Sequence, residues 1–356
     1  MTEQQWQSLL RVLDGERLDP LPVGMIIDSP WLPGWAGMSI LDYYTSEQKW
    51  LDANLQAVGR FPEIMFLPGF WSEFGMCTEP SAFGARCVFP ENEFPFAGKV
   101  LGDPSDVARL KKPDCRTDGL LPFVIKRLAH TQAKIEQQGH AIRFAVARGP
   151  HNIASFLLGH TELLMAVKIH PDETHKLLEI VTEFLVDWLV YQKEMFPSID
   201  GFLLLDDLIG FVGDADFQTF VLPYFKHLYG SMNVRVKALH NDAHGMVTAK
   251  HLAEMGVNLF NFSFEHGLAE MRKACGKKVT LLGNIPPRDV LVGGTPEDVE
   301  RAAAEALAPV DDRRRIVLSA GGGCPPDVPT ENIEALCRAA KAGPDRNPGT
   351  QPRGFS

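Results

Sequence analysis

The chain has 356 residues, 45% hydrophobic and 22% charged, which suits one large soluble α/β domain, with two domains as the alternative. Its net charge of −10 argues against a dedicated nucleic-acid binder. The six cysteines form no CxxC pair and point to free thiols in a reducing compartment. No apolar run reaches the roughly 18 residues of a spanning helix, and the polar, acidic start MTEQQWQSLLRVLDGERLD has no signal-peptide core. The expected location is the cytoplasm.

In chain order, residues 4–13 carry apolar side chains at helical spacing and form a lead-in helix within a 1–21 segment. Residues 22–28 (PVGMIID) are the first buried strand, opening into SPWLPGWAGMS, a loop too aromatic for a plain linker. A helix over 46–58 has Ser46 as its cap and Gly59 at its end. The second strand, 61–68, feeds a long loop, 69–95, with a small hairpin near 85–90. Helices over 103–110 and 120–138 lead to the third strand, 141–147, which ends in Arg148-Gly149-Pro150-His151.

Helices at 152–158, 162–169 and 172–195 precede the fourth strand, 201–205, which ends in Asp206-Asp207. A helix over 215–229 is interrupted by Pro223. The fifth strand alternates Val234, Val236 and Ala238, then breaks into His240-Asn241-Asp242-Ala243-His244-Gly245 before a helix at 246–255. Strands at 257–262, 278–282 and 315–319 follow, with a short helix after His266, a threonine-capped helix over 295–307 and a closing helix over 330–341. The tail, 343–356, is rich in Pro and Gly and is expected to be disordered.

Eight strands, each followed by helix, predict a single (β/α)8 TIM barrel over 22–342, with the aromatic loops 30–39 and 69–95 as a lid. No GxGxxG follows the first strand, so a dinucleotide fold has no support. A barrel gathers Asp28, Arg148, Asp206, Asp207, His240, Asp242, Glu265, Asn284 and Cys324 at its carboxyl mouth. His240 and Asp242, two apart, share a face. They offer imidazole nitrogen and carboxylate oxygen to a metal, with Cys324 as a thiolate; the alternative is loop hydrogen bonding and an inert thiol. Asp206 and Asp207 point different ways, one into the pocket and one as a cap. Arg148 is either an anion holder or an ion-pair partner of Asp206 or Glu265. His244 reads as a cap or surface residue. The run Gly321-Gly322-Gly323 is either an anion nest or a flexible turn. Trp31, Trp35, Phe70, Trp71 and Phe74 suit an apolar lid or a flat substrate.

Five segments, PVGMIIDSPWLPGWAGMS, RGPHNIASFLLG, LPYFKHLYG, GNIPPRDVLVGGTPEDV and SAGGGCPPDVPTENIEAL, resemble the uroporphyrinogen decarboxylase superfamily. The superfamily holds decarboxylases and corrinoid-linked methyltransferases on a (β/α)8 barrel. The decarboxylases carry an arginine-rich segment where this chain has DSPWLPGWAGMS, and an aspartate in the second-strand region that RFPEIMFLPGFW lacks. Their tyrosine falls at about Phe156, and their late Gly-His-Gly is replaced by GGGC.

The methyltransferase branch holds zinc through His-x-Cys and a later Cys. His240 falls on the first ligand, Asp242 replaces the first Cys, and the later Cys falls nearer Gly322 than Cys324. The resemblance therefore implies methyl transfer between a small O- or N-methylated substrate and cobalamin on a corrinoid protein, with zinc on His240, Asp242 and Cys324. The barrel mouth offers His240, Glu265 and Asp206 as catalytic groups, and Asp28, Trp31, Trp35, Arg148 and Asn284 as substrate-binding groups. A lyase for carboxylated substrates, or a metal-free binding protein on the same barrel, is the alternative.

Overall fold

The computed structural model describes residues 1–27 and 30–342. Its main sheet has eight strands: β1 (Val23–Ile26), β2 (Ile64–Leu67), β3 (Phe144–Arg148), β4 (Gly201–Leu205), β5 (Val236–Asn241), β6 (Leu259–Phe262), β7 (Thr280–Ile285) and β8 (Ile316–Ala320). All seven ladders are parallel, in the order β2-β1-β8-β7-β6-β5-β4-β3. Apart from β2 and β3, consecutive strands pair, and β1 pairs with β8, giving the (β/α)8 barrel that the strand count predicts.

No ladder joins β2 to β3 among the described residues, and a side chain pairs with the free edge of β3. Val146 N–H donates to Gln192 Oε1 (3.0 Å), and Gln192 Nε2 donates back to the Val146 carbonyl (3.0 Å). Gln192 belongs to the long helix Pro171–Met195, so one amide satisfies the exposed edge of β3 as a strand would.

Strand alternation divides the core in two. Ile26, Met65, Leu67, Phe144, Leu203, Val236, Ala238, Leu259, Leu282 and Val317 fill the lumen, at least one from every strand. Their neighbours along each strand face the outer helices. The lumen cluster also contains Trp6, Leu9, Leu10, Val12 and Leu13, so helix Glu3–Leu13 plugs the amino end of the barrel. Its start is fixed by a capping box, Thr2 with Gln5. Far from being a separate lead-in, this helix completes the core, where each fully buried Leu or Trp stabilises by about 1.5–3 kcal/mol.

Three local features depart from the expected elements. Helix Glu47–Arg60, capped by Ser46 as expected, runs through Gly59. The irregularity before Pro223 is a π-turn, Phe217–Val221, followed by helix Leu222–Gly230, because proline cannot supply an interior N–H. The 69–95 loop holds a short helix, Thr78–Ala82, and the 85–90 stretch supplies only one strand of a hairpin, Cys87–Val88, whose partner Phe96–Ala97 lies just beyond the loop. No disulfide joins the six cysteines, and no described helix is long and apolar enough to cross a membrane. The expected tail, 343–356, lies outside the described residues.

Candidate metal centre

His240 lies on β5 in register with Leu205 of β4 and Asn261 of β6, and it shares the lumen-facing parity of Val236 and Ala238. Its Nδ1 is 2.7 Å from Asn261 Oδ1. Both amide hydrogens of Asn261 are already committed, to the carbonyls of Leu282 (2.8 Å) and Ala320 (3.1 Å). The asparagine therefore presents an acceptor, a proton sits on His240 Nδ1, and Nε2 is the nitrogen left to face a ligand.

That Nε2 lies 3.7 Å from Asp207 Oδ1 and 3.8 Å from Asp242 Oδ2. These separations are too long for hydrogen bonds. They match ligand atoms around a shared ion, where bonds of about 2.1 Å at tetrahedral angles leave donors about 3.4 Å apart. One ligand atom from each of Asp207, His240 and Asp242 lies within 4.8 Å of the others. Asp242 N–H donates to Asp207 Oδ1 (3.1 Å), locking the two loops together. The His240 side chain is only 7% exposed, while Asp207 (38%) and Asp242 (49%) open toward solvent. Although one edge of Asp207 is open, the protein packed around its other side desolvates the carboxyl and lifts it to about 6, with His240 opposing the rise and Asp242 adding to it. A buried imidazole of fixed tautomer beside two carboxylates fits a divalent cation harder than a thiolate site would select.

Several sequence expectations take other places. Asp206 is fully buried and accepts from the His151 (2.8 Å) and Asn152 (3.2 Å) N–H groups, so it caps helix Pro150–Leu158. A Cβ on Gly149 would collide with the Asp206 carboxylate, which is why glycine precedes that helix. The carboxylate beside His240 is therefore Asp207, since adjacent residues leave a strand end on opposite sides.

Arg148 pairs with neither Asp206 nor Glu265. Its guanidinium meets Glu73 Oε2 (2.9 Å) and Glu79 Oε2 (3.4 Å), and its backbone N–H donates to Glu79 Oε1 (3.0 Å). Burial alone would weaken this charge; Glu73 and Glu79 outweigh it and hold the group protonated. Arg148 thus anchors the 69–95 loop and is not an open anion holder.

Cys324 is buried, its N–H donates to the Ile26 carbonyl (2.9 Å), and it is absent from the group around His240. The late loop instead brings bare backbone to Asp242: a Cβ on Gly322 (φ +127°) would sit 3.2 Å from Asp242 Cβ and Oδ2. The resemblance points to that position for a ligand, and here it has no side chain.

Trp31 and Trp35 stack on each other at 5.0 Å, and their indole N–H groups donate to the Val328 carbonyl (3.1 Å) and Thr330 Oγ1 (3.0 Å). Both pack in the outer core, binding the first loop to the last helix and not lining the lumen. Trp71 is buried and its carbonyl accepts from Trp50 Nε1 (3.1 Å). Asn284 faces the mouth, and its amide donates to the His266 carbonyl. Glu265 lies with His244 and His266, apart from the His240 group. Asp28 lies outside the described residues. Sequence reasoning missed Asn261, whose one signal is an amide inside the otherwise apolar strand Leu259–Phe262 (LFNF).

Residues 4–343 match the family model described as uroporphyrinogen decarboxylase (URO-D). The chain belongs to the URO-D family. Among curated relatives, the uroporphyrinogen decarboxylase of Methylobacillus flagellatus is 25% identical, with 96% of this chain and 98% of the relative covered. That of Danio rerio is 24% identical over 93% and 92%. Among solved structures, a methyltransferase from Methanosarcina mazei superposes with a TM-score of 0.79 at 20% identity, covering 94% of this chain and 98% of that one. A B12-independent methionine synthase from Shewanella sp. superposes with a TM-score of 0.57 at 15% identity, over 90% and 97%. At such identities the structural likenesses establish the fold, and the URO-D barrel's chemistry must be argued from its own mouth.

Proposed function

We propose that this URO-D family protein is a cytoplasmic methyltransferase. It moves a methyl group between a small O- or N-methylated substrate and the cobalamin of a partner corrinoid protein. The observation that carries this reading is the Asp207, His240 and Asp242 group, with its tautomer fixed by Asn261. Zinc is the ion we assign to it, and a bound divalent ion supplies Lewis acidity toward a heteroatom leaving group. Cobalamin on the partner would supply the nucleophile that takes the methyl group, and the ion held by Asp207, His240 and Asp242 would take up the charge left on the oxygen or nitrogen. His240 and the two aspartates hold and orient the ion at the mouth. An oxygen-rich donor set suits an oxygen leaving group better than the thiolate sites that activate thiols.

The second reading, a lyase for carboxylated substrates, rests on the relatives' name, uroporphyrinogen decarboxylase. Asp207 and Asp242 open toward solvent at the mouth, and Arg148 is engaged with Glu73 and Glu79. Arg148, held by its two glutamates, is not turned toward a polycarboxylate, which favours the transferase. The test is elemental analysis of the purified protein, followed by cob(I)alamin consumption with a panel of methoxylated aromatics and methylamines. Turnover and the zinc equivalent held at the His240 centre, both lost in His240→Ala, are expected. Metal-free protein, or decarboxylation of a carboxylated substrate without any methyl transfer, overturns the reading.

A further inference from the structure

A second group of metal-ligating side chains stands at the mouth and shares no residue with the first. One ligand atom from each of His244, Glu265 and His266 lies within 4.8 Å of the others. We propose that these three residues form a second divalent-cation site, joining the loop after β5 to the loop after β6.

The loops that carry them are held from behind. Asn241 Oδ1 accepts from Ala243 N–H (3.0 Å), and a Cβ on Gly210 would come within 2.9 Å of the His244 carbonyl oxygen, so the 208–211 turn packs directly on this loop. On the other side, Ser263 Oγ accepts from Glu265 N–H (3.3 Å), and the Asn284 amide donates to the His266 carbonyl. The scaffold positions the ligands before any ion arrives, as a metal site requires.

The side chains have the spacing and the chemistry. His244 Nδ1 is 3.8 Å from Glu265 Oε2, again too long for a hydrogen bond and near the separation of two ligands on one ion. The His244 and His266 rings meet edge to face, centroids 4.8 Å apart. An independent observation comes from His266, a buried residue. Its Nδ1 faces Glu270 Oε2 at 3.5 Å, while its Nε2 is buried and makes no hydrogen bond. A buried ring nitrogen without a partner is costly. A carboxylate on one nitrogen and a cation on the other is the arrangement that relieves the cost. Two imidazoles and one carboxylate are the donors of a three-ligand zinc site with one position left for water or substrate. The class of ligand is therefore a borderline divalent cation such as zinc.

Cobalt(II) is the probe, because a low-coordinate nitrogen and oxygen site gives it visible absorption. The Asp207→Ala/His240→Ala double variant, stripped of metal, is expected to take up one equivalent of Co(II). Adding His244→Ala or Glu265→Gln should weaken that binding tenfold or more. The side chains of His244 and Glu265 are each 59% exposed, so the metal-free melting temperature should not move. Failure of the double variant to bind Co(II), or binding unchanged by both added substitutions, overturns the second site. Either result leaves the His240 centre to its own test, since wild-type uptake lost only in His240→Ala reports on that centre alone.

Discussion

Asn261 Oδ1 stands 2.7 Å from His240 Nδ1, and this contact decides which nitrogen of the histidine faces the mouth. With both Asn261 hydrogens held by the Leu282 and Ala320 carbonyls, the amide cannot turn over without losing two bonds. Asn261→Leu should lower metal affinity at the His240 centre about 10–100-fold, the usual effect of removing a ligand's orienting partner. It should also destabilise the fold by about 1–3 kcal/mol, since two buried carbonyls lose their donor. Metal titration and urea unfolding of the same variant check both. Unaltered affinity would show that Asn261 does not set the tautomer.

Asp206 and Asp207 should separate stability from metal binding. Asp206→Ala removes a helix cap and is expected to cost about 0.5–2 kcal/mol while keeping the metal. Asp207→Asn should leave the melting temperature nearly unchanged and lose the His240-centre metal equivalent and methyl transfer together. Calorimetry and elemental analysis on the two variants distinguish the roles, and the opposite pattern would reassign them.

Arg148 neutralises two buried glutamates, so its loss should damage the fold more than any ligand site. Arg148→Met leaves Glu73 and Glu79 without their shared cation and is expected to cost about 3–5 kcal/mol. The 69–95 loop should become the first segment cut in limited proteolysis. A fully stable Arg148→Met protein would remove the anchoring role.

His151 makes the fold acid-sensitive. Its ring is buried against Phe225, neither ring nitrogen makes a hydrogen bond of ordinary geometry, and burial pushes its pKa down from 6.5 to about 3. Between those values the unfolded chain holds a proton that the folded chain refuses. Stability therefore rises with pH across that window and is lost as pH falls from about 6.5 toward 3, by about 1.4 kcal/mol per pH unit for this one group. His151→Phe keeps an aromatic ring and removes the titration. Urea unfolding between pH 4 and 7 should show a shallower pH slope in the variant; an identical slope would exclude His151 as its source.

The barrel was legible in the sequence because its signals are local. Apolar runs bounded by Gly, Pro and polar loops mark all eight strands, and residues 201–205 are read to the residue. The fifth strand is less direct: His240 and Asn241 look like loop, yet they pair with β4 and β6, because ladder partners on both sides extend a strand past its apolar run. That His240 and Asp242 lie together was likewise visible, since an i, i+2 step at a strand end shares one face.

Side-chain partners from distant strands and loops were settled only by the tertiary structure. Sequence spacing says that Asp206 and Asp207 diverge, but which one meets His240 depends on the helix that begins at Pro150. Arg148 finds Glu79, 69 residues earlier in the chain, and Trp31 finds Val328, 297 residues later. Asn261 acquires its role only when β6 lies beside β5 and its amide reaches two further strands. A pattern along the chain fixes which face a residue presents. Barrel closure decides what that face meets, because it brings together side chains whose separation in sequence carries no periodic signal.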